Sequence, residues 1–144
     1  MALIGISLAV TSILIGTKWL LDERAIMSTQ GKMRQLAEMI SKTNFTPAPI
    51  ALRHYEQDVG ALPSALPDLV TKPVAVPTCS ISIINGQLQG WCGPYWNDTY
   101  SGENTFGDGF GRAIIYDKAG RQLRSMGVNG VDDKGAVDDI VQAF

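Results

Sequence analysis

Met1-Ala2-Leu3-Ile4-Gly5-Ile6-Ser7-Leu8-Ala9-Val10-Thr11-Ser12-Ile13-Leu14-Ile15-Gly16-Thr17-Lys18-Trp19-Leu20-Leu21 decides how the rest of the chain is read. It carries no charge before Lys18. About 20 residues at a rise of ~1.5 Å cover roughly 30 Å, the depth of a bilayer's hydrocarbon core. Lys18 stands where a long cationic side chain can reach the interface, and Trp19 suits the same level. A cleaved secretory signal needs positive charge before the apolar run and a small-x-small site after it. Here Lys18-Trp19-Leu20-Leu21-Asp22-Glu23-Arg24 follows instead, so the segment is predicted to be an uncleaved anchor. Ala2, Gly5, Ala9, Ser12 and Gly16 recur at helical spacing, with bulky Leu3, Ile6, Val10 and Ile13 on neighbouring faces. A stripe of small residues lets helix backbones approach where lipid removes the hydrophobic drive, so it is the expected assembly face.

The helical pattern runs on past Asp22 and becomes amphipathic. Ile26, Met33, Leu36 and Ile40 fall on one side and charges fill the others. One helix is therefore expected from about residue 2 to about residue 43. Residues 1–21 form its membrane or filament-core half and 22–43 its amphipathic half. Residues 44–144 are left for a single small head domain.

With 18% charged residues and a net charge of -2, the chain lacks the basic face of a nucleic-acid binder. Residues 1–43 hold five basic and three acidic side chains, and the remainder seven basic and eleven acidic, so the surplus of positive charge lies on the helix. Cys79 and Cys92 have no histidine at zinc spacing. They would be a disulfide in an exported domain and two thiols in a cytosolic one. The N-terminal anchor favours export.

Within the head, Thr46 and Pro47 are expected to start a short helix through Ile50–Asp58 that ends at Gly60. Pro63, Pro67, Pro73 and Pro77 punctuate an irregular connection in which Leu66, Leu69 and Val70 are the expected core contacts. Cys79–Ile84 reads as a strand, Asn85-Gly86 as a two-residue hairpin turn, and Gln87–Cys92 as the return, which brings the two cysteines together. A bridge closing a loop of this size is worth about 3 kcal/mol. Gly107–Gly111 is a turn, Arg112–Tyr116 a strand, Asp117–Gly120 a turn and Arg121–Ser125 the return. The fold class is α+β, a long helix carrying a small antiparallel sheet.

In this order the pieces resemble the major pseudopilin family of type II secretion and, more loosely, type IV pilins. Ala51-Leu52-Arg53-His54-Tyr55-Glu56-Gln57-Asp58-Val59-Gly60-Ala61-Leu62-Pro63 is similar to the family's Ala-Leu-x-x-Tyr-x-x-Asp-x-Gly-x-x-Pro. Leu69-Val70-Thr71-Lys72-Pro73, Gly90-Trp91-Cys92-Gly93-Pro94-Tyr95 and Asp108-Gly109-Phe110-Gly111-Arg112-Ala113-Ile114-Ile115-Tyr116 resemble three further motifs. Ser125-Met126-Gly127-Val128-Asn129-Gly130 with Asp138-Asp139-Ile140 resembles the family's ending. The resemblance implies a non-enzymatic subunit of a type IV pilus-like or pseudopilus filament, polymerised through its N-terminal helices. It also implies an inner-membrane assembly platform and a prepilin peptidase as partners, with the peptidase methylating the amine of Met1. The unassembled chain would sit in the bacterial inner membrane with its head in the periplasm. Gly5 stands where the family has glutamate. The alternative is a minor or tip subunit that binds DNA, a surface or a secreted protein.

No catalytic constellation is legible. His54 reads as a packing or surface residue. Gly107–Gly111 lacks the lysine and βαβ setting of a phosphate loop, and no haem-attachment motif occurs. The acidic tail is the one chemical candidate. The resemblance implies a structural calcium there, held by the Met126 carbonyl, Asn129, Asp132 or Asp133, and Asp138, with Asp139 also on offer and Asn129 replacing the family's aspartate.

Overall fold

The structure is a computed structural model that describes residues 3–41, 53–84, 86–97 and 105–144, with side chains in the first helix from Thr17 onward. That helix, α1, spans Leu3–Ile40 and is 38 residues long. It stops at Ile40 rather than near residue 43, and Ser41 closes it by donating to the Ala37 carbonyl (3.0 Å). The Ala2, Gly5, Ala9, Ser12 and Gly16 stripe and Met1 lie outside the residues whose side chains are described. Among the described residues, no helix is long and apolar enough to cross a membrane.

The second half of α1 holds the head through the stripe read from its periodicity. Met33, Leu36, Ala37 and Ile40 are fully buried, and Ile26 is half-buried. Against them pack Tyr55, Leu66, Leu69, Tyr95, Ile114 and Leu123, which complete the core. Spacings of three and four residues place one apolar line along a helix, and this line is what the head covers.

The short helix α2 spans only Tyr55–Val59. Residues 47–52 of the expected helix lie outside the described ones, and Arg53 and His54, expected to be helical, precede α2, with His54 extended. The reason lies in their partners. His54 Nδ1 donates to the Glu38 carbonyl in the last turn of α1, and Arg53 turns back to Asp58. The expected stop at Gly60 is where α2 ends, with φ 78° and the Gly60 amide on the Glu56 carbonyl (2.9 Å). A 3-10 turn over Leu66–Leu69 then buries Leu66 and Leu69. Val70, expected in the core, is 38% exposed. Three residues per turn bring positions 66 and 69 over one another and rotate position 70 away.

Strands β1 (Ser80–Ile81) and β2 (Leu88–Gln89) form the expected hairpin, pairing Ser80 with Gln89 and Ile81 with Leu88. The turn differs from expectation. Ser82 N donates to the Gln87 carbonyl (2.7 Å), so the chain leaves the ladder after Ser82, and Ile83 and Ile84 belong to the turn. Strands β3 (Ile115–Asp117) and β4 (Gln122–Ser125) form the second hairpin, shorter than expected at the start because Ala113 pairs as an isolated bridge with Gly107. A third strand not expected from the sequence, β5 (Ile140–Ala143), follows the acidic tail and pairs antiparallel with β4, giving the order β3-β4-β5. This sheet packs on α1 through β4 and β5.

Candidate functional site

Three clusters join these elements, and the acidic tail is built on one of them. At the centre of the first is Asp108, which is buried. Its Oδ1 accepts from the amides of Phe110 (3.0 Å) and Arg112 (2.8 Å), and its Oδ2 accepts from the Ser125 hydroxyl (2.6 Å). The turn so fixed pushes Gly109 against α1, where its amide donates to Thr29 Oγ1 (2.8 Å) while that hydroxyl donates to the Ala25 carbonyl (2.7 Å). Arg112 Nη2 reaches on to the Gly127 carbonyl. Helix, turn, β4 and tail are thus tied through one carboxylate. From the sequence this stretch is expected as a turn, with no role assigned to the Asp108 side chain. An Asp followed by Gly-x-Gly-Arg is the signal for a side chain that folds back on its own amides.

The tail is organised by its own polar atoms. The Met126 carbonyl accepts from Gly130 N (3.0 Å). Asn129 Oδ1 accepts from Val131 N (2.7 Å), and Asn129 Nδ2 donates to Asp133 Oδ2 (2.9 Å). Asp138 Oδ2 accepts from Asn129 N (2.7 Å), and Asp139 Oδ2 from Gly135 N (2.9 Å). Asp132 is matched by cations instead, with Lys134 Nζ at 2.6 Å and Arg124 Nη2 at 3.3 Å. Lys134 first, then Arg124, holds its carboxyl down at about 2. Arg124 also pairs with Asp117 (3.0 Å), so it ties the tail to the end of β3.

These commitments sort the expected calcium ligands. Asp132 is neutralised by its own chain, and both polar atoms of the Asn129 side chain are engaged. Asp138 and Asp139 differ, because each keeps its Oδ1 buried without a hydrogen-bond partner. An oxygen-rich loop with two such carboxylates has the donor chemistry of a hard cation. Among the described residues, however, no three His, Cys, Asp or Glu side chains gather around one point. Beside the tail, a groove of about 420 Å³ runs between α1 and β5, lined by Gln30, Arg34, Asp139, Ile140, Val141 and Gln142.

The third cluster surrounds the bridge. Cys79 and Cys92 are disulfide-bonded. Cys92 N donates to the Tyr95 hydroxyl (2.9 Å), which donates to Asp58 Oδ2 (3.0 Å), where Arg53 Nε also arrives (3.0 Å). Burial raises the Tyr95 hydroxyl to about 12, so it stays protonated as that donor. Tyr95 packs edge-on against Trp91 (5.9 Å) and tilted against Tyr55 (5.4 Å), and Trp91 Nε1 donates to the Asp68 carbonyl (2.9 Å). The Trp-Cys-Gly-Pro-Tyr stretch therefore fastens the first hairpin to α2 and to the 3-10 turn. His54 has its Nδ1 on α1's last turn and is buried, in keeping with a packing role. Compared with known proteins, the chain matches no family model, no curated protein and no solved structure.

Proposed function

We propose that the chain is a structural subunit of a pilin-like filament, of the type IV pilus or type II secretion pseudopilus kind, polymerised through its N-terminal helix. The observation that carries this reading is the division of α1. Its last turns are covered by the head, whereas Trp19 and Leu21 are each 64% exposed farther up the same helix. A helix that holds large apolar side chains in water beyond its own domain has surface to bury against something else. The uncharged residues 1–16, which continue this helix in the sequence, extend the argument. In this reading the chain waits in the inner membrane with its head in the periplasm, is processed and methylated at Met1 by a prepilin peptidase, and is polymerised by a membrane platform.

Calcium belongs to the same proposal as a structural ion. Asp138 and Asp139 would supply carboxylate oxygen and the surrounding turn would supply carbonyls, with Asp132 outside the set. Its test is the thermal midpoint in calcium, magnesium and chelator, since an ion that binds only the folded loop raises the midpoint by mass action. A midpoint indifferent to calcium well above millimolar would remove the ion from the proposal.

The filament is tested by shearing producing cells and imaging the released polymers. The chain is expected as their principal protein. Gly16→Leu is expected to abolish polymers while the chain remains membrane-bound, because leucine suits lipid and obstructs close helix approach. Polymers that lack the chain, or contain it in trace amounts, would refute the reading of a repeating subunit.

A further inference from the structure

The two sulfurs of the Cys79–Cys92 bridge have unlike surroundings. The chain around them brings no charge, since every side chain from Thr78 to Asn97 is uncharged. One charge arrives from elsewhere. Arg53, 26 residues before Cys79, places Nη2 3.9 Å from Cys79 Sγ. Its Nε donates to Asp58 Oδ2 (3.0 Å), so the carboxylate takes Nε and leaves Nη2 to the sulfur. Asp58 is buried, and the Tyr95 hydroxyl donates to the same oxygen (3.0 Å). The group that aims Arg53 is therefore itself held in place.

Cys92 lacks this neighbour. Its amide donates to the Tyr95 hydroxyl (2.9 Å), whose own proton goes on to Asp58. Among the described residues, Cys92 Sγ has no cationic hydrogen-bond partner, and the charge reached through Tyr95 is negative. Both cysteines are half-buried, so exposure does not choose between them. Charge does. When a thiolate attacks a disulfide, one sulfur receives the new bond and the other departs with the electron pair. Negative charge in the transition state lies on the two outer sulfurs, the attacking one and the departing one. A guanidinium stays charged at any ordinary pH, and it stabilises such charge where it faces it. Arg53 faces an outer sulfur only when Cys79 is the one that departs.

We propose that the bridge is a thiol-exchange site with a fixed polarity: a thiolate from outside the chain bonds to Cys92, and Cys79 is released as a thiolate against Arg53. The proposal goes beyond the filament reading and does not depend on it. The step is balanced. The incoming thiol has lost its proton to solvent, its sulfur bonds to Cys92 Sγ, the Cys79–Cys92 bond breaks, and the electron pair stays on Cys79 Sγ. One disulfide is exchanged for another. If a second thiolate from outside then attacks the foreign sulfur, Cys92 leaves as a thiolate and takes up a proton from solvent. The external pair is then oxidised to a disulfide and the chain is reduced to two thiols. The same polarity applies in reverse when the bridge forms, with the external group on Cys92 and Cys79 closing the ring. Cys79 stays within reach for that return. Its amide donates to the Trp91 carbonyl (3.0 Å) and the Trp91 amide to the Pro77 carbonyl (2.8 Å), so backbone bonds hold the hairpin base when the covalent tie is open.

The test exposes the full-length oxidised chain briefly to 2-mercaptoethanol, a thiol with no other charge, so that attraction of the probe to Arg53 does not enter. The freed cysteine is then blocked with N-ethylmaleimide, and mass spectrometry of peptides reads which sulfur carries which group. The expected result is mercaptoethanol on Cys92 and maleimide on Cys79, in an excess on the order of tenfold over the reverse pattern. Arg53→Gln is expected to bring the two patterns close to equality, and Arg53→Lys to keep the excess on Cys92. Near-UV circular dichroism matching the natural chain confirms that each variant is folded. An even distribution or an excess on Cys79 in the natural chain would overturn the proposal, whether or not the variants fold. So would an excess on Cys92 that persists in folded Arg53→Gln, because the bias would then come from access rather than from the guanidinium. A bridge that exchanges with neither sulfur at thiol concentrations that open the unfolded chain would make it an inert structural tie and overturn the proposal as well.

Discussion

Gly109 is required by space. A Cβ there would stand 2.3 Å from the Ala25 carbonyl oxygen, a backbone atom of α1 that cannot swing away. Its amide is also the donor to Thr29. Gly109→Ala is therefore expected to lower stability by about 1–3 kcal/mol, the usual range for forcing extra volume into a packed contact. Denaturant unfolding followed by tryptophan fluorescence measures it, and an unchanged midpoint would mean the turn does not press on the helix. A second expectation concerns Asp132. A carboxylate held below its ordinary value stabilises the fold at pH above that ordinary value, near 3.9, and the contribution fades as pH falls through the depressed one. For Asp132 the window runs from about 4 down to about 2. The carboxyl carbon of Asp132 should titrate near the lower limit by NMR. Lys134→Ala should move it back up, because Lys134 is the larger cause. A midpoint near 4 in the natural chain would show that the pairs with Lys134 and Arg124 do not persist in solution.

At the scale of elements, α1 contains its own experiment. Gly31→Ala replaces the poorer helix former with the best one at a position where an added Cβ meets nothing within 4 Å among the described residues, so the isolated chain should gain about 0.5–1 kcal/mol. Thermal unfolding checks that gain, and a loss would reveal a contact to Gly31 within the chain itself. The buried line of the same helix was readable in advance, because Ile26, Met33, Leu36 and Ile40 repeat at the helical period and charged side chains fill the other faces. The first hairpin was readable as a pair but not in its turn. Ser80-Ile81-Ser82-Ile83 alternates well enough to continue as a strand, yet neither face of that ribbon is covered, so burial does not set its register. β5 left less trace. Its exposure alternates between half-buried and exposed and no residue in it is fully buried, and four residues are too short for a strong periodic signal. Thr29 was not legible for a different reason: its partner Gly109 lies 80 residues away in sequence, and a single polar residue carries no periodic signal. Asp108 did leave a local signal, in the glycines and the arginine that follow it.

For the molecule as a whole, the division of labour is between a helix that extends past its head and a head clamped to that helix by few groups. The acidic tail was legible as a dense run of carboxylates. Its internal pairing was not, because which carboxylate meets Arg124 depends on where β4 and β5 bring the loop. The clamp itself has a mechanical meaning. A pull along α1, as a subunit held by its helix would feel, enters the sheet sideways. It passes from Thr29 to the Gly109 amide, through the Asp108 turn to the Ser125 hydroxyl in β4, and then across the ladder to β5. Hydrogen bonds loaded along such a route share tension between the turn and the strands. The buried apolar line of Met33, Leu36 and Ile40 resists sliding at the same time. Under load the head should therefore part from its helix as one piece, with the Thr29–Gly109 bond among the first to give.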